Sequence, residues 1–203
     1  MTNEIDLLLP SSEEAWRATS AQSWASRHKE SAVSLKACLS ELLKPDGANT
    51  NLKKNSVFGS YILISAMLQT IFFRRQLSLE PSLTDVTAER AALQKWLHLY
   101  SNDQEEDHQN WHAPSSPLTF NGSALLRLAY IRLNCNFGPA LIQLTSNDAS
   151  QVAEAILQLP AVEVNSETLR AADHARKGLS LLLRVGAPLA AKTQGQFNAS
   201  FRW

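Results

Sequence analysis

Cysteine is scarce in this chain: among its 203 residues, only Cys38 and Cys135 carry a thiol. Two thiols this far apart in sequence cannot form a disulfide framework, and they cannot supply the four ligands of a structural zinc site. We therefore expect both to be free thiols in a reducing compartment. The first residues are acidic, and the apolar run after them is short, so the sequence predicts no secretory signal.

Glycine is also scarce, and its seven occurrences are scattered. A phosphate-binding loop needs closely spaced glycines because the backbone must approach the phosphates, and no G-x-G-x-x-G or Walker-type run is present. The G-x-S-x-G turn of the common serine hydrolases is missing as well, since Gly178-Leu-Ser180 lacks the second glycine. These absences exclude two large enzyme classes, and we predict no catalytic residue.

Neither sign of charge is in excess, because 19 basic residues balance 19 acidic ones. A module that binds nucleic acid usually shows a basic excess, since it must neutralise phosphates. We therefore do not expect this segment to bind DNA by itself. A net charge of zero also leaves little electrostatic repulsion between copies near pH 7, which favours self-association.

Long apolar runs are limited to one, from Val57 to Phe73, which is almost long enough to span a bilayer. Four polar residues interrupt it, and two arginines follow it directly. The interruptions are Ser60, Ser65, Gln69 and Thr70. This pattern predicts a central helix packed on most sides, with no membrane contact.

The remaining pattern is helical throughout. Ser11 and Glu14 fit a capping box, and Leu93, Trp96 and Tyr100 belong to a stripe at helical spacing. One predicted helix carries Trp16 and Trp24, which lie eight positions apart and so near one face, and we expect them, like Trp96, to anchor the core. Strand patterns and fixed-period repeats are missing. The predicted fold class is all-α, a single irregular array of about seven or eight packed helices, forming one domain over residues 1–203.

One acidic segment could hold a metal ion. His108 and His112 lie four positions apart, and Glu105, Glu106 or Asp107 could complete a site if the segment were helical. The segment has the composition of a loop, however, and the H-E-x-x-H pattern is absent. We predict a solvated acidic loop without metal and keep a metal-dependent enzyme as the least favoured alternative.

Several segments, in order along the chain, resemble the regulatory domain of fungal transcription factors, the helical region downstream of zinc-cluster or C2H2 zinc-finger modules. Each segment combines tryptophan or apolar helix residues with characteristic polar ones. They are Leu9–Ala18 with Trp24, Ser56–Gln69 with Arg75-Gln76, Ala91–Tyr100 around Trp96, Leu125–Leu133, and Ala172–Thr193. The ordered series carries the resemblance, which touches most of the chain.

The resemblance implies a nuclear module that regulates RNA polymerase II genes through small-molecule effectors, coregulators or dimerisation. The chain has no Cys-x2-Cys run and no Cys/His finger. DNA would therefore be bound only through a missing zinc-binding module, zinc is expected only there, and no cofactor is expected in this chain. Family domains are usually longer, so we expect a truncated domain with exposed apolar surface.

If an effector pocket exists, we expect it beside the central apolar helix. Its polar residues best able to orient a ligand are Tyr61, Gln69, Arg74 and Arg75. The alternative is that Tyr61 and Gln69 satisfy core hydrogen bonds and that the two arginines stabilise the end of a helix. A helical protein-interaction or scaffold module unrelated to transcription is the second function that the sequence leaves open.

Overall fold

The computed structural model describes residues 7–27, 33–44, 56–77, 83–101, 116–135, 146, 148–159 and 161–185. Within these ranges the chain is all-α, which confirms the predicted class. Eight helices follow one another: α1 (Glu13–Trp16), α2 (Ala21–Arg27), α3 (Leu35–Leu42), α4 (Val57–Leu77), α5 (Leu83–Ser101), α6 (Ser116–Asn134), α7 (Ala149–Leu157) and α8 (Ser166–Val185). The one β-type pairing in this part is an isolated antiparallel bridge between Leu8 and Ser34.

Short polar side chains begin most of the helices by accepting hydrogen bonds from backbone amides of the first turn. Ser12 caps α1, one residue later than the predicted Ser11, with its Oγ 3.3 Å from the Ala15 nitrogen. Ser34 caps α3 in the same way, and Asp148 caps α7. Such caps satisfy amides that have no partner inside the helix, so these residues determine where each helix starts.

The region predicted as one helix with Trp16 and Trp24 forms two short helices. Ser20 accepts a hydrogen bond from the Ser23 amide at 3.1 Å and so starts α2 afresh. The prediction that both tryptophans anchor the core is wrong, because Trp16 is 85% exposed and Trp24 is exposed as well. Helical spacing placed them on one face, but it could not show that any other element covers that face.

The chain divides into two compact units, Met1–Leu133 and Asn134–Trp203. In the first unit, α4 packs against α3 and α5, and α3 also packs against α5. Its core is formed by large apolar side chains that are fully buried, among them Leu42, Leu63, Ile64, Ile71, Leu93, Tyr130 and Leu133. That one domain covers residues 1–203 stays a prediction.

Helix α6 joins the first unit through a close approach to α5. Gly122 of α6 is buried, and a Cβ at this position would lie 3.5 Å from Cη2 of Trp96. The Trp96 ring is 5% exposed, and its Nε1 donates a hydrogen bond to the Ser60 carbonyl of α4 at 3.0 Å. Trp96 therefore contacts both of the other long helices in this unit.

In the second unit, the buried apolar side chains that the structure describes are small. Asn165 starts α8 by accepting hydrogen bonds from the amides of Glu167 and Thr168, both at 3.0 Å. Ala155 of α7 and Ala171 of α8 are the buried apolar residues in the described part of this unit.

Candidate functional site

Helix α4 carries the four predicted ligand residues, and one face of this helix is buried. Ser60, Leu63, Ile64, Met67 and Ile71 recur at helical spacing and are all buried. The serine hydroxyl does not oppose this burial, because it donates to the Val57 carbonyl of its own helix at 2.7 Å. One face of α4 thus belongs to the core, and the exposed positions of this helix are Phe58, Gln69, Thr70 and Phe73 among those whose side chains are described.

Two of the four predicted ligand residues lie away from that core face. Tyr61 is half-buried, and Gln69 is exposed. The alternative in which Gln69 satisfies a core hydrogen bond is therefore wrong, since its side chain is on the solvent side. Gln69 and Arg74 are five positions apart, which places them roughly 140° apart around an ideal helix.

Arg74 points into the junction between α4 and α5. Its Nη1 lies 2.9 Å from Oε1 of Glu89, and the side chains are 28% and 5% exposed, respectively. A carboxylate this deeply buried is costly unless a cation stays close to it. Arg74 therefore acts as the counter-ion of Glu89 and links two helices, a role that the helix-end interpretation did not include.

Arg75 connects α4 to α6 instead. Its guanidinium donates to the carbonyl of Leu133, one residue before α6 ends at Asn134. The last carbonyls of a helix have no partner within the helix and carry partial negative charge, so a cation is favourable there. The predicted association of Arg75 with a helix C-terminus holds, although the helix it stabilises is α6 as well as its own.

A second cation lies on the same side of the junction between α4 and α6. The Arg132 guanidinium carbon is 5.2 Å from the centre of the Phe72 ring, within the range of a cation–π contact. Burial lowers the pKa of the Arg132 guanidinium from its ordinary value, and the group still remains a cation at neutral pH. This cation–π contact therefore joins α4 to α6, as the Arg75 hydrogen bond also does.

The four predicted residues thus fall into two groups. Arg74 and Arg75 are brought together at the junction of α4 with α5 and α6, where each has a protein partner. Gln69 lies roughly one and a half turns before Arg74, and Tyr61 lies nearly four turns before it, on other sides of α4. A ligand-binding role for the four residues stays a prediction, and one ligand contacting all of them would have to extend around the helix.

Glu89 is the residue that sequence reasoning missed. The stripe of Leu93, Trp96 and Tyr100 extends back by one turn to position 89, because 89, 93 and 96 follow the same helical spacing. A carboxylate on an apolar stripe signals a buried ion pair, and the pair of arginines at the end of the neighbouring apolar helix is the matching partner.

No group of three or more histidine, cysteine, aspartate or glutamate side chains that could hold a metal ion occurs among the described residues. The segment with His108, His112, Glu105, Glu106 and Asp107 lies outside those residues.

Helix α4 is long and apolar enough over Val57–Arg75 to cross a membrane by length and composition alone, and 33% of that window is buried within the protein. The core helix of a soluble protein passes the same test, so this finding does not by itself assign a membrane role.

No family model, curated protein or solved structure matches this sequence.

Proposed function

We propose that the chain is the regulatory domain of a fungal transcription factor, acting in the nucleus to modulate transcription of RNA polymerase II genes. In this proposal it recognises coregulators, a second copy or a small-molecule effector. DNA is reached only through a separate zinc-binding module, so the chain itself needs no cofactor and carries no catalytic residue.

The observation that best supports the proposal is that three segments of the resemblance meet in one core. Trp96 of one segment donates to the Ser60 carbonyl of another at 3.0 Å, and Arg75 donates to the Leu133 carbonyl of a third. Segments that share a family pattern for structural reasons are expected to pack together, and two side-chain hydrogen bonds join these three.

The same contacts give the proposal a mechanism. Arg74 links α4 to α5 through Glu89, and Arg75 links α4 to α6. A ligand on the Tyr61 and Gln69 side of α4 would shift the population of arrangements if it bound better to one position of α4 against these neighbours. Regulation would then consist of a change in how α4 packs against α5 and α6, and a coregulator would bind one of the two arrangements more tightly.

The test is to fuse the whole chain to a heterologous DNA-binding domain in a fungal cell and measure the transcript of a reporter carrying that domain's sites. We expect the fusion to accumulate in the nucleus and to change the transcript relative to the DNA-binding domain alone. Trp96→Ala should abolish the change because it removes the contact among α4, α5 and α6, whereas the exposed Trp24→Ala should retain it.

An unchanged transcript from a stably expressed fusion, or exclusion of the tagged chain from the nucleus, would overturn the proposal. Loss of the effect in Trp24→Ala as well as Trp96→Ala would point to fusion instability rather than regulation.

A helical protein-interaction module unrelated to transcription is the second candidate. It is favoured by the exposure of Leu169, Leu179 and Leu183 on α8, since exposed apolar surface commonly marks an interaction site. Affinity capture of the tagged chain after crosslinking separates the two functions: components of the transcription machinery favour the first, and cytoplasmic assemblies favour the second.

A further inference from the structure

The sequence Ser11-Ser-Glu-Glu14 at the start of α1 does not form the capping box that its spacing predicts. A capping box needs the serine at the N-cap and the glutamate at the third helical position. In the structure Ser12 is the N-cap of α1, so the third helical position is Ala15, which has no side-chain acceptor. Ser11 lies one residue before the cap, and its hydroxyl forms no hydrogen bond with another described residue. The spacing of Ser11 and Glu14 therefore has no part in starting the helix.

The two carboxylates after Ser11 are open to another molecule. Glu13 and Glu14 are both exposed. The Glu13 carboxylate lies 2.7 Å from the Arg17 guanidinium, in an exposed pair that solvent keeps weak. The Glu14 carboxylate forms no ion pair with any other described residue. Basic side chains of a second protein can therefore pair with both carboxylates without removing a buried contact.

The backbone around Ser11 suits binding in an extended conformation, which is the form in which a protein kinase holds its acceptor segment. Pro10, Ser11 and Ser12 are not helical, and Ser12 has a φ of −59° and a ψ of 151°. The helix that follows is a single turn of four residues, and the residue that this turn buries is Ala15. Isolated turns of this length are only marginally stable. Residues 10–14 can therefore become extended together at a small cost in free energy.

We propose that Ser11 is a phosphorylation site for an acidic-directed serine kinase, the class whose basic substrate groove selects a carboxylate at the third position after the serine. For Ser11 that position holds Glu14. For the neighbouring Ser12 it holds Ala15, which cannot pair with a basic side chain. The inference goes beyond the proposed function and does not depend on it, because phosphate is measured on the chain itself.

The reaction transfers the γ-phosphoryl group of a magnesium–ATP complex to the Ser11 Oγ. The Oγ–phosphorus bond forms as the bond from that phosphorus to the leaving oxygen of ADP breaks, and the hydroxyl proton passes to the catalytic aspartate of the kinase. The product adds a charge of about −1.5 to −2 at pH 7 to a chain whose formal net charge is zero. Phosphorylation therefore makes the protein acidic and increases the electrostatic repulsion between copies.

The first measurement is phosphorylation of the whole purified chain by a purified acidic-directed kinase with magnesium and ATP. Mass spectrometry of the proteolytic peptide that contains Ser11 should show phosphate on this serine and none on Ser12. Ser82 and Thr145 also have an aspartate at the third following position, so any phosphate there is counted on other peptides. Isoelectric focusing should place the phosphorylated chain at a lower pH than the unmodified chain.

Glu14→Gln separates recognition by the kinase from a structural role of this residue. Glutamine fits a capping box as well as glutamate does, but it has no charge. We expect the rate at Ser11 to fall by at least about tenfold, because a hydrogen bond between charged groups is lost, while the circular dichroism spectrum stays the same. Glu14→Asp is the matched control, which keeps the charge and should keep most of the rate.

The second measurement asks whether the fold leaves Ser11 accessible. It compares the rate at Ser11 in the whole chain with the rate in a free peptide of residues 7–17 under the same conditions. We expect the whole chain to react within about tenfold of the peptide, because opening a single helical turn takes much less free energy than unfolding the protein.

Four results would overturn the proposal. These are phosphate on Ser12 instead of Ser11, an equal rate in Glu14→Gln and the parent chain, phosphorylation of the free peptide without that of the whole chain, and no phosphorylation at Ser11 in either. The reporter experiment does not measure phosphate, so the proposed function and the phosphorylation site stand or fall separately.

Discussion

At the scale of single residues, Trp96 contacts two neighbouring helices of the first unit and a second aromatic ring on its own helix. Its ring lies against Gly122 of α6, its Nε1 donates to Ser60 of α4, and its centre is 5.4 Å from the Tyr100 ring on its own helix. The ring provides apolar area, and the nitrogen gives it one fixed orientation.

Replacing Trp96 by phenylalanine should lower the free energy of unfolding by about 2 kcal/mol, because the change removes a buried hydrogen-bond donor and leaves a void beside Gly122. Urea unfolding followed by circular dichroism measures this. Trp16→Phe, at an 85% exposed position, should change stability by no more than about 0.5 kcal/mol. Equal losses in both variants would contradict the assignment of Trp96 to the core.

Asp173 gives a prediction that concerns pH. The side-chain hydrogen bonds from Arg176 and Lys177 hold the pKa of the Asp173 carboxyl below its ordinary range. Because the folded-state pKa is depressed, any stabilisation from this group is present above the unfolded-state pKa, about pH 4, and is lost as the pH falls through the lower folded value.

An NMR titration of the Asp173 side chain should therefore give a pKa below that of an unperturbed aspartate. In Arg176→Ala, the pKa should rise toward the ordinary value, since the first of its two cationic partners is gone. A pKa that is the same in both proteins would show that the pair does not form in solution.

At the scale of elements, the junction of α4 with α5 depends on the buried pair of Arg74 and Glu89. Arg74→Ala should lower the free energy of unfolding by about 2–3 kcal/mol, because the buried Glu89 carboxylate then loses the cation that lies 2.9 Å from it. This value is below that of a fully buried pair, since Arg74 is 28% exposed.

The matched control is the exposed pair of Arg17 and Glu13, whose charged atoms lie 2.7 Å apart on α1 and its C-cap. Arg17→Ala should cost at most about 0.5 kcal/mol, because solvent screens an exposed pair. Chemical unfolding of the two variants side by side checks the prediction. A cost for Arg74→Ala as small as that for Arg17→Ala would show that the buried Glu89 carboxylate does not depend on Arg74.

The elements also show what sequence could and could not predict. The helical state of α4 and of the region around Trp96 followed from apolar runs and helical spacing, since these are local properties. The break between α1 and α2 was missed because Ser20 competes with continuation of the helix. The position of Glu89 on an apolar stripe signals a buried ion pair, but which of Arg74 and Arg75 joins it depends on how two helices pack across a connector.

The candidate site was less predictable than the fold for the same reason. Helical spacing shows that Gln69 and Arg74 share a helix. The exposure of Gln69 and the partial burial of Arg74 depend instead on which neighbouring helices cover α4. Exposure on α8 depends on the three-dimensional structure in the same way, since Ala171 is buried while Leu169, Leu179 and Leu183 of the same helix are exposed.

At the scale of the whole molecule, the described residues of the two units differ in how many large apolar side chains they bury. The first unit buries side chains from α3, α4, α5 and α6, whereas the described helices of the second bury Ala155 and Ala171. A domain folds by itself only when buried apolar area outweighs the entropy of ordering the chain.

A fragment ending at Cys135 should therefore keep a helical spectrum and a cooperative thermal transition, while residues 134–203 alone should melt without cooperativity. Circular dichroism of the two fragments beside the whole chain is the measurement. A cooperative transition in the second fragment, at a concentration too low for association, would show that this unit has a core of its own.

The contrast between buried Trp96 and exposed Trp16 and Trp24 also has an optical consequence. An indole shielded from water emits at shorter wavelength than a hydrated one, and a dissolved quencher such as iodide reaches it slowly. Emission that survives the quencher will therefore contain the light from Trp96. Trp96 is therefore an intrinsic fluorophore where α4, α5 and α6 meet. An effector, variant or partner that moves α4 against α5 should shift the emission wavelength of Trp96, so no attached label is needed.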